Sequence, residues 1–218
     1  MADKVAYLYA FDGMADWEYG YLAAELNSGR YFVRKGERLE LLTVARRAEP
    51  VRTMGGLRVL PDLSLEDFDE SRCVLLILPG GDSWFEPGHE SILEKARSLL
   101  EGGVTVAAIC AATVALARTG ILDNREHTSN DLGFLKAVCP EYRGEAHYRH
   151  EPAVIDRNLI TASGVAPQEF ASCVLQALGL MSGEALEAWN GLFRSHEPRY
   201  YSQLMDAIGK AKVGRETA

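Results

Sequence analysis

VTVAAICAATVALARTG, Val104 to Gly120, changes character at its midpoint. Val104–Ile109 is apolar and rich in β-branched residues with no polar alternation, which is the pattern of a strand buried on both faces. Ala111–Arg118 is alanine-rich and favours helix. Cys110 stands at the junction. In open parallel sheets ligands gather beyond the carboxyl ends of the strands, so this junction is where chemistry is expected. A helix starting at Ala111 directs its free N–H groups and positive end toward the sulfur, which favours thiolate. The small neighbours Ala107, Ala108, Ala111 and Ala112 allow the sharp strand-to-helix turn of a nucleophile elbow. The same position would also suit a buried structural cysteine acting as a small hydrophobe.

The alternation extends outward in both directions. Upstream, Val5–Phe11 reads as the first strand. Trp17–Ser28 follows, with Trp17, Tyr21, Ala24 and Leu26 around an acidic face, as in a helix packed on a sheet. Leu39–Val44 is the second strand, and Pro50–Val59 turns at Gly55 and Gly56 as a hairpin. Val74–Leu78 is a second fully apolar strand, directly before Pro79, Gly80 and Gly81. Glu90–Glu101 is a helix stopped by Gly102 and Gly103. Downstream the pattern predicts a short strand at Glu126–Thr128, a helix at Asp131–Ala137, strand pieces at His147 and Val154, the last strand LITAS and a helix at Pro167–Leu178. The expected fold is α/β: a doubly wound, flavodoxin-like parallel sheet with helices on both faces. Residues 1–180 would form that domain. Residues 181–218, with EALEAWNGLF and YYSQLMDAIGKA as helices, would form a C-terminal helical extension.

Composition narrows the function. The 218 residues are 47% hydrophobic and 25% charged, which excludes disordered and fibrous classes. A formal net charge of -8 argues against nucleic acid or an anionic membrane as partner, since both require a concentrated basic face. The longest apolar run, Val104–Ala117, is shorter than the roughly 18 residues a membrane span requires. MADKVAYLYAFDG lacks a cleavable apolar segment, so no secretory leader and a cytoplasmic location are expected. Cys73, Cys110, Cys139 and Cys173 form no Cys-x-x-Cys pair, so neither a metal site nor a redox dithiol is expected, and no cofactor is implied.

Two glycines at the end of the Val74 strand can expose N–H groups to a developing oxyanion, although a plain glycine turn would read the same way. Together VAAICAATVALARTGIL, LLILPGGD, VRTMGGLRVLPDLSLEDF, ADWE and ITASGVAPQEFA resemble, in order and spacing, the ThiJ/PfpI superfamily. That group includes intracellular proteases, glyoxalase or deglycase-like proteins and isocyanide hydratases, and is similar in fold to class I glutamine amidotransferase domains. The resemblance spans Lys4–Leu180. It implies that Cys110 is the elbow nucleophile and that Glu18 is the carboxyl group set against the sulfur. A carboxylate beside a thiolate is repelled by it, so the pair requires a proton on Glu18 and a raised pKa there. Read without the resemblance, Glu18 is an exposed acid favoured by the helix dipole. Gly80, Gly81 and the Ala111 amide resemble the anion-binding amides, and a homodimer is implied.

The chain also departs from the superfamily. Its proteolytic members carry His directly after the cysteine, where this chain has Ala111. Others place His or Tyr after a Thr-Ser pair, where this chain has Asn130. The reading is therefore against a peptidase, because a Cys-His dyad requires its imidazole within hydrogen-bond reach. His127, His147 and His150 are candidate substitutes, and His196 with Glu197 lies in the extension at the wrong spacing. A solvated or singly bonded side chain is the default for each.

The expectation is a cysteine-dependent enzyme acting on a small carbonyl or amide compound. Cys110 attacks, Glu18 shuttles the proton, Asn130 orients substrate, and Trp84 and Phe85 wall the site unless they cap the core. The alternative is a redox sensor or stress-response protein in which Cys110 is oxidised.

Overall fold

The structure is a computed structural model that describes residues 4–34 and 36–216, with side chains through residue 209. Strands β1 (Val5–Tyr9), β2 (Glu40–Ala45), β5 (Leu63–Ser64), β6 (Cys73–Leu78), β7 (Thr105–Ile109), β8 (Ala153–Asp156) and β9 (Leu159–Ala162) form one sheet in the order β5-β2-β1-β6-β7-β9-β8. All pairings are parallel except β8 against β9 at one edge. A short antiparallel pair, β3 (Val51–Arg52) and β4 (Arg58–Val59), is the expected hairpin. The doubly wound reading holds, with an antiparallel edge added where the turn from Asp156 to Leu159 is too short for a crossover.

Helices α1 (Asp16–Ser28), α2 (Glu90–Glu101), α3 (Ala111–Arg118), α4 (Leu132–Val138), α5 (Pro167–Ala177), α6 (Gly183–Ser195) and α7 (Pro198–Glu216) cover the sheet. One core layer joins Tyr7, Tyr9, Leu76 and Leu78 to Ile92 and Leu99 of α2 and to Val114 and Leu116 of α3. The other joins Leu8, Ile77 and Ile109 to Leu22 and Leu26 of α1 and to Phe170 and Val174 of α5. Ala185 and Trp189 of α6 and Leu204 of α7 belong to this second layer. Of the expected 181–218 extension, residues 217 and 218 lie outside the described residues.

Three local expectations are corrected. The buried stripe of α1 carries Glu18, Leu22, Glu25 and Leu26, whereas Trp17, Tyr21 and Ala24 face outward. The acidic face thus points inward, because Gly80 and Trp189 supply donors to it. The expected strand at Glu126–Thr128 is a single bridge between His127 and Tyr148. The strand piece expected at His147 is a turn of 3-10 helix, Glu145–His147.

Candidate active site

The carboxyl ends of β6, β7 and β9 and the amino end of α1 converge on Cys110. Its backbone sits at φ +60° and ψ -129°, a region that non-glycine residues avoid at a cost of about 1–3 kcal/mol. The surroundings over-determine it: Cys110 N donates to Ala162 O at 2.9 Å, and Thr113 N and Oγ1 donate to Cys110 O at 3.0 and 2.6 Å. The residue is only partly buried, so the sulfur is not sealed in the core.

Glu18 lies beside it, 1% exposed. Gly80 N–H donates to its Oε2 at 2.5 Å, and Oε1 has no hydrogen-bond partner of ordinary geometry. Two glycines make room for the pair. A Cβ on Gly80 would stand 2.6 Å from Cys110 Cβ and 2.7 Å from Glu18 Oε2. One on Gly164 would stand 2.7 Å from Cys110 Sγ and 3.1 Å from Glu18 Oε1. Gly164 was not singled out from sequence. Its signal was the one used for the Pro79-Gly80-Gly81 turn: a glycine directly beyond the carboxyl end of a buried strand.

Burial raises the Glu18 carboxyl to about 7, against the lowering effect of the Gly80 amide and of Cys110. That agrees with the raised pKa expected of Glu18 and leaves a share of the carboxyl ionised near neutral pH. The thiol departs from expectation. Burial and the Glu18 charge push it up to about 11, and the opposing pulls of the Asn130 amide and the Ala111 N–H do not overcome them. The helix end alone does not ionise this sulfur, because desolvation penalises the anion more than one turn of amides stabilises it. Removing the charge on Glu18 removes its push on the sulfur, so the two groups share the question of where one proton sits.

The other candidate residues separate. Asn130 Nδ2 donates to Sγ at 3.2 Å. Gly80 N–H is committed to Glu18 and so is not free for an oxyanion, whereas Gly81 N–H has no protein acceptor among the described residues. The Ala111 N–H faces the sulfur. Trp84 is a core residue: its Nε1 donates to Pro79 O at 2.7 Å and its ring packs with Tyr9, Phe11 and His89. Phe85 is exposed, with Phe134 edge-on to it and the Arg118 guanidinium over its ring.

No histidine nitrogen bonds the sulfur among the described residues. His127 is fully buried between Tyr142 and Tyr148, with Nδ1 against Arg125 O at 2.7 Å and Nε2 against Tyr142 Oη at 2.6 Å. Burial lowers its pKa, so it is a neutral core group. No cluster of three or more His, Cys, Asp or Glu that could hold a metal occurs among the described residues. A cavity of about 480 Å³ opens beside Asn130, lined also by Thr128, Tyr148, His150, Glu151 and Glu169. A second, of about 370 Å³, lies among Tyr9, Arg46, Ser83 and His89, and neither cavity is lined by Cys110 or Glu18.

Comparison with known proteins shows the family. The chain is 47% identical over 210 residues to the "Uncharacterized protease YoaZ" of Bacillus subtilis (strain 168), covering 96% of this chain and all of that one. It is 28% identical over 156 residues to the "Glutathione-independent glyoxalase DJR-1.2" of Caenorhabditis elegans, covering 69% and 78%. The crystal structure of the thiJ/pfpI family protein from Bacillus anthracis superposes with a TM-score of 0.91 at 52% identity, over 94% of this chain and 97% of that one. The model of the DJ-1/PfpI family matches residues 3–177. The chain therefore belongs to the DJ-1/PfpI family.

Proposed function

We propose that this protein is a cysteine-dependent enzyme acting on a small carbonyl compound, with Cys110 as nucleophile and Glu18 as the group that receives and returns the thiol proton. The observation that carries the reading is the buried Glu18 carboxyl, raised to about 7 and placed with Sγ around the bare face of Gly164. A base whose pKa lies near the working pH combines the right protonation state with the greatest drive to take a proton. Because the resting thiol holds its proton up to about 11, attack is coupled to its transfer. The S–H bond breaks, Glu18 takes the proton, sulfur bonds to the carbonyl carbon, and the C=O pair moves to oxygen. Glu18 then returns the proton to that oxygen, giving a neutral hemithioacetal.

The amides of Gly81 and Ala111 are the oxyanion donors in this reading, with Gly80 as the brace that holds Glu18. The cavity beside Asn130 receives the rest of the substrate. The similarity to a protein named a glyoxalase supports a small aldehyde. The lack of a histidine on the sulfur argues against peptidase chemistry, although another relative carries a protease name. A redox-sensing role is less well supported, since it asks for a low-pKa thiolate and burial moves this thiol upward. We further propose a homodimer.

The test is turnover of small 2-oxoaldehydes by the wild type, C110A and E18Q. The expected result is loss of at least about a hundredfold in both variants. Turnover retained in C110A overturns the reading.

A further inference from the structure

We propose that Asn130 is a positioning residue for the sulfur, its amide fixed by the Gly164 N–H so that its NH₂ donates to Sγ. The inference rests on the reading of Cys110 as nucleophile and concerns how its charge is stabilised. Trp17 Nε1–H donates to Gly164 O at 3.1 Å, Gly164 N–H donates to Asn130 Oδ1 at 2.8 Å, and Asn130 Nδ2–H donates to Cys110 Sγ at 3.2 Å.

The direction is fixed by chemistry. An indole N–H and a peptide N–H only donate, so the amide oxygen of Asn130 must face Gly164 and its NH₂ must face the sulfur. Turning the amide over would set two donors against each other at Gly164 and an oxygen against the sulfur. The Asn130 amide dipole therefore points its positive end toward Sγ, and the bond its oxygen accepts from Gly164 N–H polarises it further.

The loop that carries Asn130 is held independently. Thr113 Oγ1, which grips Cys110 O, also bonds Ser129 Oγ at 2.7 Å. Tyr148 Oη donates to Ser129 O at 3.2 Å, and Thr128 N donates to Thr161 Oγ1 at 2.9 Å. Asn130 itself is exposed at the mouth of the site, so its side chain is not needed to fill a core. Glu18 is the charged side chain that acts on the sulfur. Asn130 opposes it with a group that never titrates, whereas an imidazole at this position would change charge near neutral pH.

The experiment is the pH profile of iodoacetamide alkylation at Cys110, followed by peptide mass in the full-length wild type, N130A and N130D. N130A should shift the midpoint upward by about one unit, which is about tenfold slower alkylation below it. N130D keeps an acceptor for Gly164 N–H but turns the donor at sulfur into a negative oxygen, so it should be at least as slow as N130A. A brace with no effect on charge would instead leave N130D like wild type. A wild-type profile in N130A, or a slowed N130A beside a wild-type N130D, overturns the positioning role. The readout needs no substrate, so it is independent of whether carbonyl turnover is found.

Discussion

At Gly164 a single hydrogen is all that fits between β9 and the reacting pair. A methyl group there would stand 2.7 Å from Sγ and 3.1 Å from Glu18 Oε1, inside van der Waals contact with both. Neither neighbour can give easily, since Glu18 is tied to Gly80 and the sulfur sits on a strained elbow. G164A is therefore expected to cost about 1–3 kcal/mol through overpacking and to slow Cys110 alkylation sharply. A denaturant melt run beside the alkylation assay reads both effects. A wild-type melt with wild-type alkylation would show that the pocket relaxes around the methyl group. Glycine was legible at the Pro79-Gly80-Gly81 turn because two occur together after an apolar strand. Gly164 was not, since its importance comes from what α1 and α3 bring opposite it.

Element boundaries were largely readable where composition changes sharply. α2 and α3 begin and end at the residues the apolar period and the flanking glycines indicate. The orientation of α1 was not, because an acid on a helix is ordinarily a solvent-facing group. Glu18 and Glu25 lie seven residues apart, two turns along one stripe, and their partners come from far along the chain. Gly80 is 62 residues from Glu18, and Trp189 is 164 from Glu25. No local window contains those donors. Two-residue β5 and the antiparallel edge at β8 were missed for a similar reason, since both depend on a neighbouring strand more than on their own pattern. Glu25 accepts from Trp189 Nε1 at 3.1 Å and from Arg30 Nε at 3.1 Å and Nη2 at 2.5 Å. E25A would leave a buried indole N–H unpaired and a half-exposed guanidinium without its anion, so a loss of about 2–3 kcal/mol is expected. E25Q, which retains an acceptor for the indole, should recover part of it. Chemical denaturation of the three proteins measures the difference.

Over the whole molecule, Glu18 makes folding sensitive to pH. Its carboxyl titrates at about 7 in the folded chain, against an ordinary 4.5. Between those values the folded state binds more protons than the unfolded one, so stability falls as pH rises through that window. The contribution is about 3 kcal/mol from one group. E18Q should flatten the curve between about pH 4.5 and 7 and be the more stable protein above it. Urea midpoints at pH 5, 6 and 7.5 test this, and parallel curves for the two proteins would contradict it. The sheet and its helical layers were legible because buried parallel strands are apolar end to end. The electrostatics were less so, because the helix at Ala111 was weighed without the desolvation that surrounds it. No helix among the described residues is long and apolar enough to cross a membrane.

One helix, α1, carries Glu18 near its amino end and, two turns on, the Glu25 carboxylate held by Trp189 of α6. A disturbance that slackens the carboxyl-terminal helices is therefore expected to reach Glu18 through this shared helix, so that damage remote from the pocket would register as altered reactivity at the sulfur.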